Sequence, residues 1–559
     1  MLIVKQGFQL YDTTLRDGMQ QEGMALSVAD KLAVARLLDG FGVSFIEGGW
    51  PGAIPKDTDF FRRARTELTL HRAQLVAFGA TRRPNLAVAD DPQVLALLAA
   101  QTPVVTLVAK SDARHVELAL HTTRAENLAM LRDTVAHLTR AGRRVMVDAE
   151  HFFDGLRFDR AYALAFVDVA VEAGAEVVVL CDTNGGSLPG EIAAGVAAAA
   201  GTGARLGIHC HDDAGCAVAN SLFAVAAGAI QVQATAHGYG ERCGNANLFT
   251  LVADLAFKTD PPLVTSGSVG AMAAVASAIG DITAAPRSDH APYVGRAAFT
   301  HKAGLHASAI RVDPNLYQHI APELVGNRMR TLVSDQAGRA SVELKARELG
   351  YTVAAGSDVV ASLIRRIKDL EQAGYAFEGA DASFELLLRD ELAAGVVEHP
   401  FEVDSWSLGV IPLQDGAARY EATATFRLRG ETATGSGLGT TALVAMEQAV
   451  RLGLGPYFAE LRRWELVSHR LWDLDDGSGQ PASTRVTLSF TSGPRQWSIV
   501  GVAEDRYAAC WQALRDAVRY AVLPRHAGRP SVTPTQNGAT AQNGATESTR
   551  HGVVPALAN

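Results

Sequence analysis

Short apolar runs that end in polar residues recur along the first half of the chain, and a stretch with helical spacing follows each one. The runs cover residues 9–12, 43–47, 75–78, 104–108, 145–148, 177–180, 206–209 and 230–235. Eight strands alternating with helices within about 250 residues predict an α/β fold, a (β/α)8 TIM barrel over residues 1–256. The runs are mostly apolar, as parallel strands covered on both faces should be. From 257 to 397 the strand rhythm stops and helical spacing dominates, as at 357–373, which predicts helical linker subdomains. A composition shift near Glu398-His399-Pro400 opens a third region, 398–523. There β-rich segments (420–428, 485–490, 496–502) accompany helical ones (442–452, 507–522), which predicts a C-terminal α+β domain. Beyond 524 the chain turns to Gly, Ser, Thr, Asn and Gln, and Gln536-Asn537-Gly538-Ala539-Thr540 nearly repeats at Gln542-Asn543-Gly544-Ala545-Thr546. Such a composition cannot bury a core, so 524–559 is expected to be disordered.

Composition narrows the function classes. Of 559 residues 48% are hydrophobic, enough for more than one packed core. The net charge is -9 and basic residues form no runs, which argues against a nucleic-acid partner. Residues 1–6 lack the layout of a signal peptide, and the longest apolar stretches, such as 192–200, are too short to span a bilayer. A cytoplasmic protein without a membrane partner is expected. The five cysteines, Cys181, Cys210, Cys216, Cys243 and Cys510, are an odd and sparse set, so no disulfide framework is expected.

The polar residues collect at the C-terminal ends of the runs: Arg16-Asp17, Glu47, Lys110, Asp148 with Glu150, Asp182-Thr183-Asn184 and His209-Cys210-His211. Barrel enzymes build their active sites on that face. His209 and His211 are two apart and share a face of a strand, while Cys210 points the other way and reads as a small buried hydrophobe. With Asp17 they supply one carboxylate and two imidazoles for a divalent metal, and Arg16 stands beside it. Taken singly, each half also fits a salt bridge or ordinary polar histidines.

At this level the sequence resembles a known family. Leu15-Arg16-Asp17-Gly18, the His209/His211 pair and Gly240-Glu241-Arg242-Cys243-Gly244-Asn245-Ala246 are similar to the metal-dependent barrel acyltransferases, which include isopropylmalate, homocitrate and citramalate synthases. Within that family Ile46-Glu47-Gly48-Gly49-Trp50-Pro51-Gly52, Asp148-Ala149-Glu150-His151-Phe152-Phe153-Asp154-Gly155 and Phe377-Glu378-Gly379-Ala380-Asp381 resemble the citramalate branch. The resemblance covers residues 8 to about 523.

The resemblance implies a condensation of acetyl-CoA with pyruvate to (R)-citramalate and CoA, a step toward isoleucine. It implies Asp17, His209 and His211 as ligands of a divalent metal (Mg or Mn first, Zn as an alternative), with Asn245 supporting them. Arg16 would stabilise the developing oxyanion, and Thr183 would donate to the keto-acid carboxylate. Glu150 and His306 would handle the proton of the acetyl methyl, assisted by Tyr317. His115 matches a substrate-side histidine, although Lys110-Ser111-Asp112-Ala113-Arg114 departs from the usual Lys-Ser-Trp-Asp-Leu. Trp50 would narrow the pocket toward pyruvate. The C-terminal domain resembles a regulatory domain, with isoleucine as the implied effector and a homodimer as the implied assembly. It keeps Gly435-Ser436-Gly437 but lacks the Gly-Pro-Val that commonly follows. The competing readings are the same chemistry on a larger keto acid, a metal-dependent barrel aldolase or lyase, an iron oxygenase using two histidines and a carboxylate, and a non-catalytic amino-acid sensor.

Overall fold

The structure, a computed structural model, describes residues 2–334, 337–354, 357–393, 399–413, 417–475, 481–493 and 495–524. Eight parallel strands close into a barrel in chain order: β1 (Gln9–Asp12), β2 (Phe45–Glu47), β3 (Gln74–Ala80), β4 (Val104–Lys110), β5 (Arg144–Glu150), β6 (Val177–Asp182), β7 (Leu206–Cys210) and β8 (Gln231–Ala234). The seam pairs Gln9 with Gln231 and Asp12 with Ala234. All eight expected strands are present.

Strand alternation sorts the side chains. Tyr11, Phe45, Val104, Met146 and Val179 belong to a cluster inside the barrel. Their neighbours Leu10, Ile46, Val105, Val147 and Leu180 join the larger core shared with the surrounding helices. Two residues further along the inward series the interior turns polar, with Glu47, Thr106 and Asp148 all buried. That polar layer, at the C-terminal ends of the strands, is where the site forms.

The chain divides into two compact units, Met1–Leu344 and Lys345–Asn559. Outside the barrel the first unit carries helices such as Met272–Thr283 and Gly304–Val312 and a short parallel pair, β9 (Thr300–His301) with β10 (Arg330–Thr331). Two-residue strands give no alternation to read, so the helical pattern of 257–397 did not foreshadow them.

The second unit begins with helices Asp358–Gln372 and Asp381–Leu392. Two antiparallel sheets follow, β11 (Glu402–Pro412), β12 (Ala418–Leu428) and β13 (Glu431–Gly439), then β14 (Trp464–Asp475), β15 (Pro481–Ser492) and β16 (Arg495–Ala503). Helices Ala442–Leu454 and Arg506–Val522 pack on a core that includes Phe426, Trp464, Phe490 and Leu514. The sequence pattern locates β12, β15, β16 and both helices, and misses β11, β13 and β14. Of the tail 524–559 expected to be disordered, residues 525–559 fall outside the described residues.

Candidate active site

The segment after β1 folds into a turn that aims two charges inward. Buried Asp12 accepts hydrogen bonds from Thr14 N and Thr14 Oγ1, both at 2.9 Å, and the amides of Arg16 and Gly18 donate to Thr13 O at 3.1 Å. Arg16 Nη1 donates to Asp17 Oδ2 at 2.7 Å and Nε to Glu47 Oε2 at 2.5 Å, while the guanidinium lies 3.8 Å from the centroid of Phe78. Tyr11 OH, donating at 2.7 Å, holds the other oxygen of Glu47. Burial works against the charge of Arg16, but Glu47, Asp17 and Asp148 outweigh it and hold its pKa above the ordinary value. Burial likewise opposes the charge of Asp17, but Arg16 and the two histidines hold its carboxyl well below the usual range.

Asp17, His209 and His211 come together here, each buried, with one donor atom apiece within 4.8 Å of the others. His209 Nε2 lies 3.8 Å from Asp17 Oδ2. Its other nitrogen, Nδ1, meets Gln233 Oε1 at 2.9 Å, and Gln233 Nε2 donates to Asp148 Oδ1 at 2.9 Å. With its Nε2 turned to Asp148, Gln233 presents Oε1 to His209, so Nδ1 of His209 carries the proton and Nε2 keeps its lone pair. Burial, only partly offset by Asp17, lowers the His209 pKa from 6.5 to about 3, so the ring is neutral. His211 Nδ1 and Asn245 Oδ1 are buried with no hydrogen-bond partner. Asn245 Nδ2 donates to Asp17 Oδ1 at 3.0 Å and to Tyr239 O at 2.9 Å. The loop bearing Asn245 turns at Gly244, where φ is +88° and a Cβ would sit 2.0 Å from Gly238 O, so only glycine fits. A neutral imidazole pair, an ionised carboxylate and orphaned polar atoms within one buried cluster fit a divalent cation.

A cavity of about 480 Å³ opens over this cluster. Arg16, Asp17, Trp50, Glu150, Thr183, His209 and His211 all line it, together with Phe78, Lys110 and Asp148. Glu150 Oε2 pairs with Lys110 Nζ at 2.5 Å. Trp50 stands edge-on to Phe78 with centroids 5.2 Å apart, and its backbone N–H donates at 2.8 Å to Asp57, itself paired with buried Lys31. His115 is not part of the lining and stacks instead on His151 at 3.8 Å. His306 and Tyr317 also lie outside the lining, stacked on each other at 4.2 Å. Sequence reasoning missed Gln233, whose signal was present: residues 231 and 233 share the inward face of β8.

Three family models match consecutive parts of the chain. Residues 7–275 match the HMGL-like family, 293–374 the homocitrate synthase post-HMGL domain-like family and 378–522 the LeuA allosteric (dimerisation) domain. The chain is 53% identical over 530 residues to an (R)-citramalate synthase of Streptomyces coelicolor, covering 95% of this chain and 98% of that one. It is 44% identical over 533 residues to an (R)-citramalate synthase of Synechocystis, covering 93% and 97%. A probable 2-isopropylmalate synthase of Methanopyrus kandleri is 32% identical over 509 residues, covering 89% and 95%.

Proposed function

We propose a single reaction for this chain, which belongs to the (R)-citramalate synthase family: acetyl-CoA, pyruvate and water give (R)-citramalate and free CoA. The observation that carries the reading is the convergence of Asp17, His209, His211, Arg16 and Thr183 on one cavity. Asp17, His209 through Nε2, and His211 would hold a divalent metal, magnesium or manganese first and zinc as the alternative, with Asn245 bracing Asp17. When bound, the ion supplies Lewis acidity to the carbonyl and carboxylate oxygens of a 2-keto acid.

The remaining work falls to the chain's own side chains. Thr183 donates its hydroxyl proton to the keto-acid carboxylate. Glu150 takes the proton from the acetyl methyl, with Lys110 holding its carboxylate in place. Arg16 stabilises the negative charge that grows on the carbonyl oxygen as the carbon–carbon bond forms. Its fork is already fixed by Glu47, Asp17 and Phe78, so little reorganisation accompanies the reaction. Trp50 and Phe78 wall the cavity, and Trp50 is the residue proposed to admit a methyl group in preference to a branched chain. His306 and Tyr317 rank behind Glu150 for the proton work, and His115 supports the keto-acid side from behind. The match to an allosteric (dimerisation) domain supports a homodimer, and isoleucine is the effector proposed for that domain.

The test is release of free thiol from acetyl-CoA with a panel of keto acids. Pyruvate is expected to be preferred over 2-ketobutyrate, 2-ketoisovalerate and 2-ketoglutarate. Preference for 2-ketoisovalerate or 2-ketoglutarate would move the chain to isopropylmalate or homocitrate synthesis.

A further inference from the structure

Glu150 ends β5, and the chain turns from it into the helix Phe152–Phe158 within one residue. That helix lies hard against the loop after β4: a Cβ on Gly155 would come within 2.7 Å of Ser111 O and 2.9 Å of Asp112 Cα. His151 makes the corner in the left-handed conformation, with φ 61° and ψ 32°. Histidine enters this region more readily than most side chains, and β-branched residues scarcely enter it at all. Residues held there cluster at functional sites, where surrounding structure over-determines them.

What over-determines His151 is a row of hydrogen bonds across three strand ends. Ser111 N and Ser111 Oγ both donate to Glu150 O, at 3.1 and 2.9 Å. The next amide, His151 N, donates to Thr183 Oγ1 at 2.8 Å. Arg242 Nη2 donates to Thr183 O at 2.8 Å and so fixes that residue from the other side. The His151 ring is buried and stacked on His115, with Nε2 4.0 Å from Glu150 Oε1 and Nδ1 3.9 Å from Asp154 Oδ2. A hydroxyl that accepts from a backbone N–H still has its own proton to donate. Thr183 lines the cavity, so its proton is free for a ligand there.

We propose that His151 is a positioning residue for the keto-acid end of the cavity: its left-handed backbone aims the amide at Thr183 Oγ1 and thereby turns the hydroxyl proton toward the substrate carboxylate. This rests on the reading of Thr183 as the carboxylate donor. The imidazole serves a separate purpose, backing His115 and Glu150, so backbone and ring can be separated by substitution.

All four substitutions H151G, H151N, H151A and H151V remove the ring; the first two keep the left-handed conformation accessible, whereas H151A and H151V disfavour it. The measurements are KM for pyruvate, kcat and the melting temperature, with T183V as reference. H151G and H151N should keep the pyruvate KM within about threefold of wild type, while H151A and H151V should raise it about tenfold with smaller changes in kcat, the scale of one lost hydrogen bond. T183V should raise KM at least as much. Wild-type KM in H151A with a raised KM in T183V overturns the proposal. So does a KM in H151G that rises as far as in H151A, because the ring would then be the active part. An unchanged KM in T183V overturns the reading of Thr183 itself. If H151V fails to fold, H151A decides.

Discussion

At the barrel mouth Asp17, Glu47 and Asp148 are buried close together around Arg16, and burial pushes both Glu47 and Asp148 above the usual carboxylate range. In the C-terminal unit buried charges close into pairs. Lys345 meets Asp381 at 2.8 Å and Glu348 at 3.2 Å, Glu385 is held by Arg389 and Tyr520, and Glu447 is held by Arg451. A closed pair leaves nothing for a ligand to do, and a scaffold can carry it indefinitely. A carboxylate surplus beside two neutral imidazoles costs stability unless a cation completes it. The difference separates a cluster of charges that a ligand completes from paired charges that need none.

Substitutions can break that comparison from either side. The largest effect is expected for R16K, which keeps the charge and loses the planar fork shared by Glu47 and Asp17. Turnover should fall about a hundredfold or more, the scale of a lost oxyanion donor, with the melting temperature little changed. Near-normal turnover in R16K would remove Arg16 from the mechanism.

Next comes Q233L, which takes away the acceptor of the His209 Nδ1 proton. Metal affinity measured by calorimetry should drop about tenfold to a hundredfold, the range for losing an outer hydrogen-bond partner of a ligating histidine. An unaltered affinity would mean that the Asp148–Gln233–His209 chain is packing alone.

In the C-terminal unit the corresponding break is G437A. A Cβ at this position would lie 2.4 Å from Ala445 O and 2.6 Å from Ala449 N, so sheet and helix must part. Stability of that unit should fall by about 1–3 kcal/mol, as for other overpacked sites, while metal binding at the barrel stays as in wild type. Metal binding lost together with that unit's stability would show that the two regions do not divide the labour as described.

The smallest effect is one of pH. Burial, against the opposing bonds from Thr14, raises the Asp12 pKa from 3.8 to about 7. Between those values the folded chain holds a proton that the unfolded chain has lost, so stability falls as pH rises through the window. Asparagine does not titrate. The melting temperature of D12N relative to wild type should therefore climb by a few degrees from the lower end of the window to the upper. A constant offset would show that Asp12 does not hold its proton.

How far the sequence could be read follows the same division. The barrel strands are legible because both faces are buried and each run is short and apolar. Asp17, His209 and His211 are legible because strand periodicity puts the histidines on one face and strand ends gather on one rim. β13 reads Glu-Thr-Ala-Thr-Gly-Ser-Gly-Leu-Gly, which looks like a turn; its glycines are there to admit the helix Ala442–Leu454. β11 is mostly exposed and so lacks an apolar face to detect. Gln233 was overlooked because an uncharged amide in a short strand does not announce itself as a partner of a histidine, and the His306–Tyr317 and His115–His151 stacks depend on loop paths that spacing does not encode.

The most direct test of the central claim is a calorimetric titration of metal-stripped protein with manganese or magnesium, run on wild type, D17A and H211A side by side. The account predicts one divalent ion per chain in wild type and lost or greatly weakened binding in both variants, with melting transitions that show each variant folded. Full occupancy in D17A and H211A would contradict it.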